Sequence, residues 1–252
     1  MKPTHFDVDH ALEFINQMVS ADEVVTALEM LEKFPAYYRD HPTTSMVLTR
    51  QNIMSKITTV QDYFKGEWQE IQPERIIAEY EQMPRFHYVE ELVKKWNAEN
   101  RVPYICEFGP GQYWLPIGLK AKGYKFTYRA ITITDEHQPE AVNYLGDTMV
   151  SYGEFAQPQI FVCFEVIEHL FNLAEVYNYY CREHLNAEHV CISTPKYALG
   201  GGWKRDHAEM IAHVRTFTPT ELMQFCMKYW PFMAWQYIDG AQMVAVGSRK
   251  NN

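Results

Sequence analysis

The sequence predicts an α/β protein: a mostly parallel sheet closed by a C-terminal antiparallel hairpin, behind an N-terminal helical extension. Three observations carry that expectation. From about residue 99 onward, short apolar or β-branched runs alternate with stretches of helical period, the pattern of strand–helix–strand units. The run Tyr104-Ile105-Cys106 is continuously apolar, as suits a parallel strand covered on both faces, and it leads into Glu107-Phe108-Gly109-Pro110-Gly111, an acidic residue followed by a glycine turn. Near the end, two strand-like runs flank Asp239-Gly240, a favoured tight-turn pair.

The elements follow in order. Residues 1–98 read as a mostly helical extension. Asp7 or Asp9 caps a first helix carrying Ala11, Leu12, Phe14, Ile15 and Met18. A second helix carries Val24, Ala27, Leu28 and Leu31, and Pro35 and His41-Pro42 interrupt the pattern. A weaker segment covers residues 46–57. Two more amphipathic helices, around Ile76 to Tyr80 and Val89 to Trp96, are separated by Pro84. The aromatic residues of this extension, Phe34, Tyr37, Tyr38, Tyr63, Phe64 and Trp68, either line a pocket or form core.

Residues 99–252 form the second predicted domain. After the glycine turn comes a helix over 114–122, stopped by Gly123, and then a strand over 126–133. Residues 141–145 are expected to form a third strand, ending at Gly146-Asp147. A clear strand spans 160–164, a helix 173–185 and a further strand 190–194, stopped by Pro195. Residues 197–214 read as a long loop. Thr218-Pro219-Thr220-Glu221 is a helix start, with Thr218 as N-cap, proline at the first position and Glu221 at the third. Strands over 232–238 and 242–248 close the chain.

The 252 residues carry a formal net charge of −9, which disfavours sequence-independent binding to nucleic acid backbones. The five cysteines (Cys106, Cys163, Cys181, Cys191 and Cys226) lack C-x-x-C spacing. Three of them fall in predicted buried strands, as expected of core thiols in a reducing compartment. No leader-like segment and no apolar run of membrane-spanning length is visible, so a cytoplasmic protein is expected.

Glu107-Phe108-Gly109-Pro110-Gly111 resembles the first motif, acidic-x-Gly-x-Gly, of class I S-adenosylmethionine-dependent methyltransferases. Phe164-Glu165-Val166-Ile167-Glu168-His169-Leu170 resembles the segment after the fourth strand of the ubiquinone-biosynthesis O-methyltransferase group, and Ser193-Thr194-Pro195 is placed to match. The resemblance covers about residues 100 to 250. It implies a Rossmann-like, seven-stranded sheet and S-adenosylmethionine as cofactor. It also implies that Glu107, Gly109 and Gly111 form the wall around the methionine and ribose portions, joined by Phe164 and Glu165 at the next strand's end. Tyr113 replaces the third glycine sometimes seen in this motif, and Thr132 stands where most members carry an acid for the ribose diol. That form is similar to the cyclopropane fatty acid synthase branch. Thr132 would supply one hydroxyl hydrogen bond instead, with Asp135 a lesser candidate. Asp147 resembles the acceptor for the adenine amino group, or is simply a turn aspartate. In such enzymes a helical extension often covers the substrate pocket; packing or dimerisation is the other reading for residues 1–98.

Glu165, Glu168 and His169 place two carboxylates and an imidazole within five residues. With His213 they resemble the set that binds magnesium in the small-RNA 2′-O-methyltransferases, where the ion grips a ribose diol. A metal on such ligands orients a diol and lowers the pKa of the attacking hydroxyl. Without a metal, His169 or His213 is a candidate general base, since imidazole titrates near the working pH. Glu168, His169 and His213 are therefore the candidate catalytic residues. His207, Lys204, Arg205 and Arg215 share the same stretch and either meet an anionic substrate or form a solvated loop face. The implied activity is O-methylation of a small aromatic or polyol substrate. A nucleic acid end or sugar, and a non-catalytic binding protein, are the alternatives.

Overall fold

The computed structural model describes residues 8–20, 24–34, 44–65, 71–132, 139–150, 158–170, 173, 187–195, 217–238 and 242–249. The chain divides into two compact units. One comprises Met1–Glu67, Glu168–Phe171 and Tyr197–Thr216, and the other Trp68–Ile167, Asn172–Lys196 and Phe217–Asn252.

The first unit contains helices α1 (Val8–Ser20), α2 (Val24–Glu32) and α3 (Thr44–Lys65). Leu12 and Ile15 of α1, Val24, Ala27 and Leu31 of α2, and Met46 and Ile53 of α3 share one apolar core. These positions recur at three- and four-residue intervals, so each helix turns one stripe inward. The helix starts at Val8, which puts Asp9 inside its first turn, and Asp7 lies outside the described residues. The segment expected over 46–57 is part of a longer helix of 22 residues.

The second unit is built on a six-stranded sheet of order β2-β1-β3-β4-β6-β5. Its strands are β1 (Tyr104–Phe108), β2 (Thr127–Ile131), β3 (Ile160–Phe164), β4 (His189–Pro195), β5 (Met233–Ile238) and β6 (Gln242–Arg249). β2, β1, β3 and β4 run parallel, and the β5–β6 hairpin adds the antiparallel pair through β4. This is a Rossmann-like arrangement. Every residue of β1 and β3 is buried, which is why β3 and the Tyr104-Ile105-Cys106 stretch of β1 read as apolar runs. Cys106, Cys163 and Cys191 lie buried in these central strands, and Cys226 is buried in α8 (Pro219–Tyr229).

The expected third strand is not one. Residues 141–145 belong to a helix, α7 (Pro139–Leu145), so six strands stand among the described residues where seven were expected. Ala141 and Leu145, four residues apart, are both fully buried while Asn143 between them is exposed, which is helical spacing and not alternation. Pro139 occupies the first helical position, where a missing N–H costs nothing. The residue that lies beside β2 in the missing strand's place is Met149, in a single parallel bridge to Tyr128.

Helices α4 (Pro73–Glu79) and α5 (His87–Ala98) pack within the sheet unit, separated by 3-10 turns at Tyr80–Gln82 and Pro84–Phe86. Ile76, Tyr80, Phe86, Val89, Val93 and Trp96 enter the same core as Ile105, Tyr128 and Val162 of the sheet. Helix α6 (Trp114–Ala121) follows β1, and its Gly118 lies so close to the Tyr80 ring that a Cβ there would overlap it. The capping box at α8 forms as expected: the Thr218 hydroxyl accepts from the Glu221 N–H, and Glu221 accepts from the Thr218 N–H. The helix expected over 173–185 lies outside the described residues except for Leu173, and so do the Asp239-Gly240 turn, Cys181, Tyr37, Tyr38 and Trp68. No helix among the described residues is long and apolar enough to cross a membrane.

Candidate functional site

β1 has β2 on one side and β3 on the other, so the chain leaves β1 in one direction and returns on the opposite flank. Such a switch point opens a crevice outside the carboxyl ends of the strands, where open α/β sheets bind ligands. The residues that end β1 and β3 are the ones singled out from the sequence.

After β1 the backbone turns sharply. Gly109 (φ +67°), Gly111 (φ +53°) and Tyr113 (φ +59°) all adopt the left-handed conformation. The Gly109 N–H donates to the Ile131 carbonyl at 2.9 Å, tying the turn to the end of β2. A Cβ on Gly109 would stand 2.6 Å from Val166 Cγ2, just past β3, so this glycine permits the β1 turn and the β3 turn to meet. A Cβ on Gly111 would meet no atom within 4 Å among the described residues. Tyr113 keeps the backbone shape of a third glycine in a residue that has a Cβ. Its ring is buried at 1% exposure against Tyr128, 6.2 Å between centroids. Burying an aromatic ring stabilises by about 3–5 kcal/mol against truncation, more than the roughly 1–2 kcal/mol that a left-handed residue costs, so tyrosine holds the position.

Glu107 is buried at 3% exposure, next to that turn. The Tyr128 hydroxyl donates to its Oε2 at 2.6 Å. Burial pushes the Glu107 carboxyl up to about 7, while the Tyr128 hydrogen bond and the positive charge of Arg85 pull it down. Burial and the neighbouring carboxylate raise the Tyr128 phenol far above its ordinary range, so it remains a donor.

Arg85 is a functional candidate that sequence reasoning missed. It sits in the 3-10 turn Pro84–Phe86, with its guanidinium 4.9 Å from the Phe86 ring centroid. Phe86 in turn meets Phe164, at the end of β3, edge-on at 5.5 Å. The Arg85 Nε is buried and has no hydrogen-bond partner among the described residues. Its only signal in the sequence was a cation beside the proline that separates two helices.

Glu165, the first residue past β3, is also left-handed (φ +55°). Ser193 of β4 holds it twice: the Glu165 N–H donates to the Ser193 carbonyl at 3.1 Å, and the Ser193 hydroxyl donates to Glu165 Oε1 at 2.7 Å. Non-glycine residues in this conformation persist where surrounding contacts over-determine them, commonly at functional sites. Thr132 directly follows β2, and its Oγ1 is buried without a hydrogen-bond partner among the described residues. Asp147 is exposed in the 3-10 turn Gly146–Thr148 that follows α7, so it does not end a strand.

Glu168 and His169 lie in the 3-10 turn Ile167–His169. Glu168 is fully buried, and His169 Nε2 is 3.8 Å from its Oε1. Among the described residues no three His, Cys, Asp or Glu side chains gather as a metal ion requires. His213, the fourth expected ligand, lies outside the described residues, as do Asp135, His207, Lys204, Arg205 and Arg215.

No protein-family model matches this chain, and no curated protein matches it in sequence. Solved structures do. A chain of the Pnkp1/Rnl/Hen1 RNA repair complex is similar at 18% identity and a TM-score of 0.42, over 58% of this chain and 38% of that one. The methyltransferase domain of bacterial CtHen1 is similar at 14% identity and a TM-score of 0.46, over 68% of this chain and 99% of that one. Magnesium protoporphyrin IX methyltransferase from Synechocystis PCC 6803, solved with bound SAH, is similar at 13% identity and a TM-score of 0.42, over 81% and 99%. This chain thus spans under two fifths of the first of those chains and nearly all of the other two. At these identities and scores, functional assignment rests on the residues of the site.

Proposed function

We propose that this chain is an S-adenosylmethionine-dependent methyltransferase acting on the oxygen of a small aromatic or polyol substrate. The observation that carries the reading is the set of groups at the carboxyl ends of β1 and β3. Glu107, Gly109 and Gly111 form a turn at the sheet's switch point, and Glu165 ends the adjacent strand. The groups present fit the donor. The open side of Gly111 admits a ligand against bare backbone, Glu107 offers a buried acceptor, and the Thr132 hydroxyl and Arg85 Nε are buried polar atoms in want of partners among the described residues. A buried polar group without a partner is costly, so such atoms commonly await a ligand or water.

When bound, the donor supplies a methyl group on a sulfonium that carries its own leaving group. The protein's tasks are then to hold, to align and to take a proton. Gly109 and Gly111 bring the backbone close. Glu107 and Thr132 take up hydroxyl or amino groups. His169 or His213 removes the proton of the acceptor hydroxyl. The match of Glu165, Glu168, His169 and His213 to a magnesium-binding set favours a second reading, metal-assisted 2′-O-methylation of a nucleic acid end or sugar. The net charge of −9 weighs against it.

Calorimetric titration with S-adenosylhomocysteine, with and without magnesium, tests both. Saturable binding in either buffer is expected under the first reading, and affinity that depends on magnesium under the second. Absence of binding in both would leave a methyltransferase-like protein without donor, with Thr132 in place of the usual acid as the residue to explain it.

A further inference from the structure

We infer that Tyr128 is the positioning residue for Glu107: by fixing Oε2 from β2 it turns the other carboxylate oxygen toward the crevice as the acceptor for the donor, with Arg85 supplying the countercharge. This rests on the donor-site reading above and adds to it two residues that the motif does not contain.

The geometry is specific. Ile105, two residues before Glu107, pairs with Tyr128 across the β1–β2 ladder, and Glu107 itself pairs with Ala130. The tyrosine is therefore one step back along the same face, where a long side chain reaches a diagonal neighbour. At 2.6 Å the contact is short, as expected for a hydroxyl donating to a carboxylate. The ring is fully buried and also packs on Tyr113 of the glycine turn, so the hydroxyl has little freedom to leave. On the opposite flank β3 presents apolar Val162 in register with Glu107. The groups that bear on the carboxylate are then Tyr128 from β2 and Arg85 from the 3-10 turn, with Tyr113 and Cys106 acting on Tyr128. Both Tyr128 and Arg85 stabilise the ionised carboxylate against the effect of burial.

The sign of the consequence is fixed. With its carboxyl at about 7, Glu107 is roughly half ionised near neutrality. Deleting the Tyr128 hydroxyl removes an influence that lowers this value, so the carboxyl in Tyr128→Phe titrates higher and is largely protonated at pH 7. The test is a carbon-13 NMR titration of protein labelled at the Glu side-chain carboxyl, the Glu107 signal assigned by its loss in Glu107→Gln. It is combined with S-adenosylhomocysteine titration of wild type and Tyr128→Phe from pH 6 to 9. The expected result is an upward move of the Glu107 midpoint in Tyr128→Phe. Affinity should fall about fivefold at pH 7 for the first unit of that move and about tenfold for each further unit, and recover toward wild type at pH 9. An unmoved midpoint, or an affinity loss of the same size at every pH, would overturn the positioning role, the latter because a packing defect has no reason to titrate. If the midpoint moves but neither protein binds S-adenosylhomocysteine at any pH, the coupling of Tyr128 to Glu107 stands and the donor reading fails.

Discussion

The two ends of the same sheet are built to different rules. At the amino end the backbone and side-chain polar groups find protein partners. Asn97, at the end of α5, donates to the carbonyls of Arg101 and Lys125 at 3.1 and 2.8 Å and accepts from the Lys125 N–H at 2.7 Å. Gln159 Oε1 accepts from the Tyr104 N–H at 2.6 Å, and the Gln159 N–H donates to the Tyr104 carbonyl at 3.0 Å. His189, which opens β4, packs edge-on against Trp96 and lies 3.4 Å from the Tyr88 hydroxyl, and burial lowers its affinity for a proton. At the carboxyl end the pattern reverses. A buried carboxyl has its pKa raised, and Thr132 Oγ1, Thr194 Oγ1 and Arg85 Nε are buried without hydrogen-bond partners among the described residues. One end fastens the helices and loops to the sheet. On the donor-site reading, the other keeps buried polar atoms available for a ligand.

Substitution at Gly109 should give the largest effect. Gly109→Ala places a Cβ 2.6 Å from Val166 Cγ2 in addition to forcing an L-residue to φ +67°. Val166 is β-branched and stiff, so the two turns must separate. We expect S-adenosylhomocysteine affinity to fall at least a hundredfold, with a loss of about 1–3 kcal/mol in stability by denaturant titration. Gly111→Ala is the stability control: it has the same backbone strain but no neighbour within 4 Å among the described residues, so about 1 kcal/mol of stability is the expected loss, while its Cβ would still enter the donor's place. Equal losses of stability at the two glycines would mean that the contact with Val166 is immaterial.

The opposite end should respond differently. Asn97→Ala removes three hydrogen bonds in a partly exposed place, where water replaces them in part, so about 1–2 kcal/mol of stability is the expected loss. Affinity for S-adenosylhomocysteine should not change. A fall in affinity with Asn97→Ala would show that the two ends are coupled and that the division of labour is false.

What could be read in the sequence was what local chemistry decides. The apolar run of β1, the glycines after it and the capping box at Thr218 each depend on neighbours within four residues. The structure places them as expected. Residues 141–145 failed as a strand because so short a segment with apolar ends fits both periods, and burial of Ala141 and Leu145 with Asn143 exposed decided for helix. Three of the site's residues were invisible for another reason. Tyr128 reaches Glu107 across 21 residues and Ser193 reaches Glu165 across 28, through strand register that no local pattern reports. Arg85 lies on the 3-10 turn whose Phe86 packs on Phe164, a contact that no local pattern reports. Tyr113 shows a third kind of limit. Read as a lost glycine, it turns out to retain the glycine's backbone conformation while adding a buried ring.

The smallest expected effect gives the most discriminating test of the comparison. Thr132→Val is nearly isosteric and removes a hydroxyl that is buried without a partner among the described residues. In an end built for stability, deleting a side-chain polar group should destabilise, as with Asn97→Ala. In an end built for a ligand, the hydroxyl is unfavourable to the folded protein until something binds it, so replacing it with a methyl group should leave stability unchanged or raise it by up to about 1 kcal/mol. The same change should weaken S-adenosylhomocysteine binding by about fivefold, the worth of one hydrogen bond near 1 kcal/mol. Opposite signs for stability and affinity in a single substitution would be hard to produce by a packing defect, which lowers both. If Thr132→Val instead lowers the melting temperature and leaves affinity intact, the hydroxyl serves the fold, and the carboxyl end of β2 belongs with the structural end of the sheet.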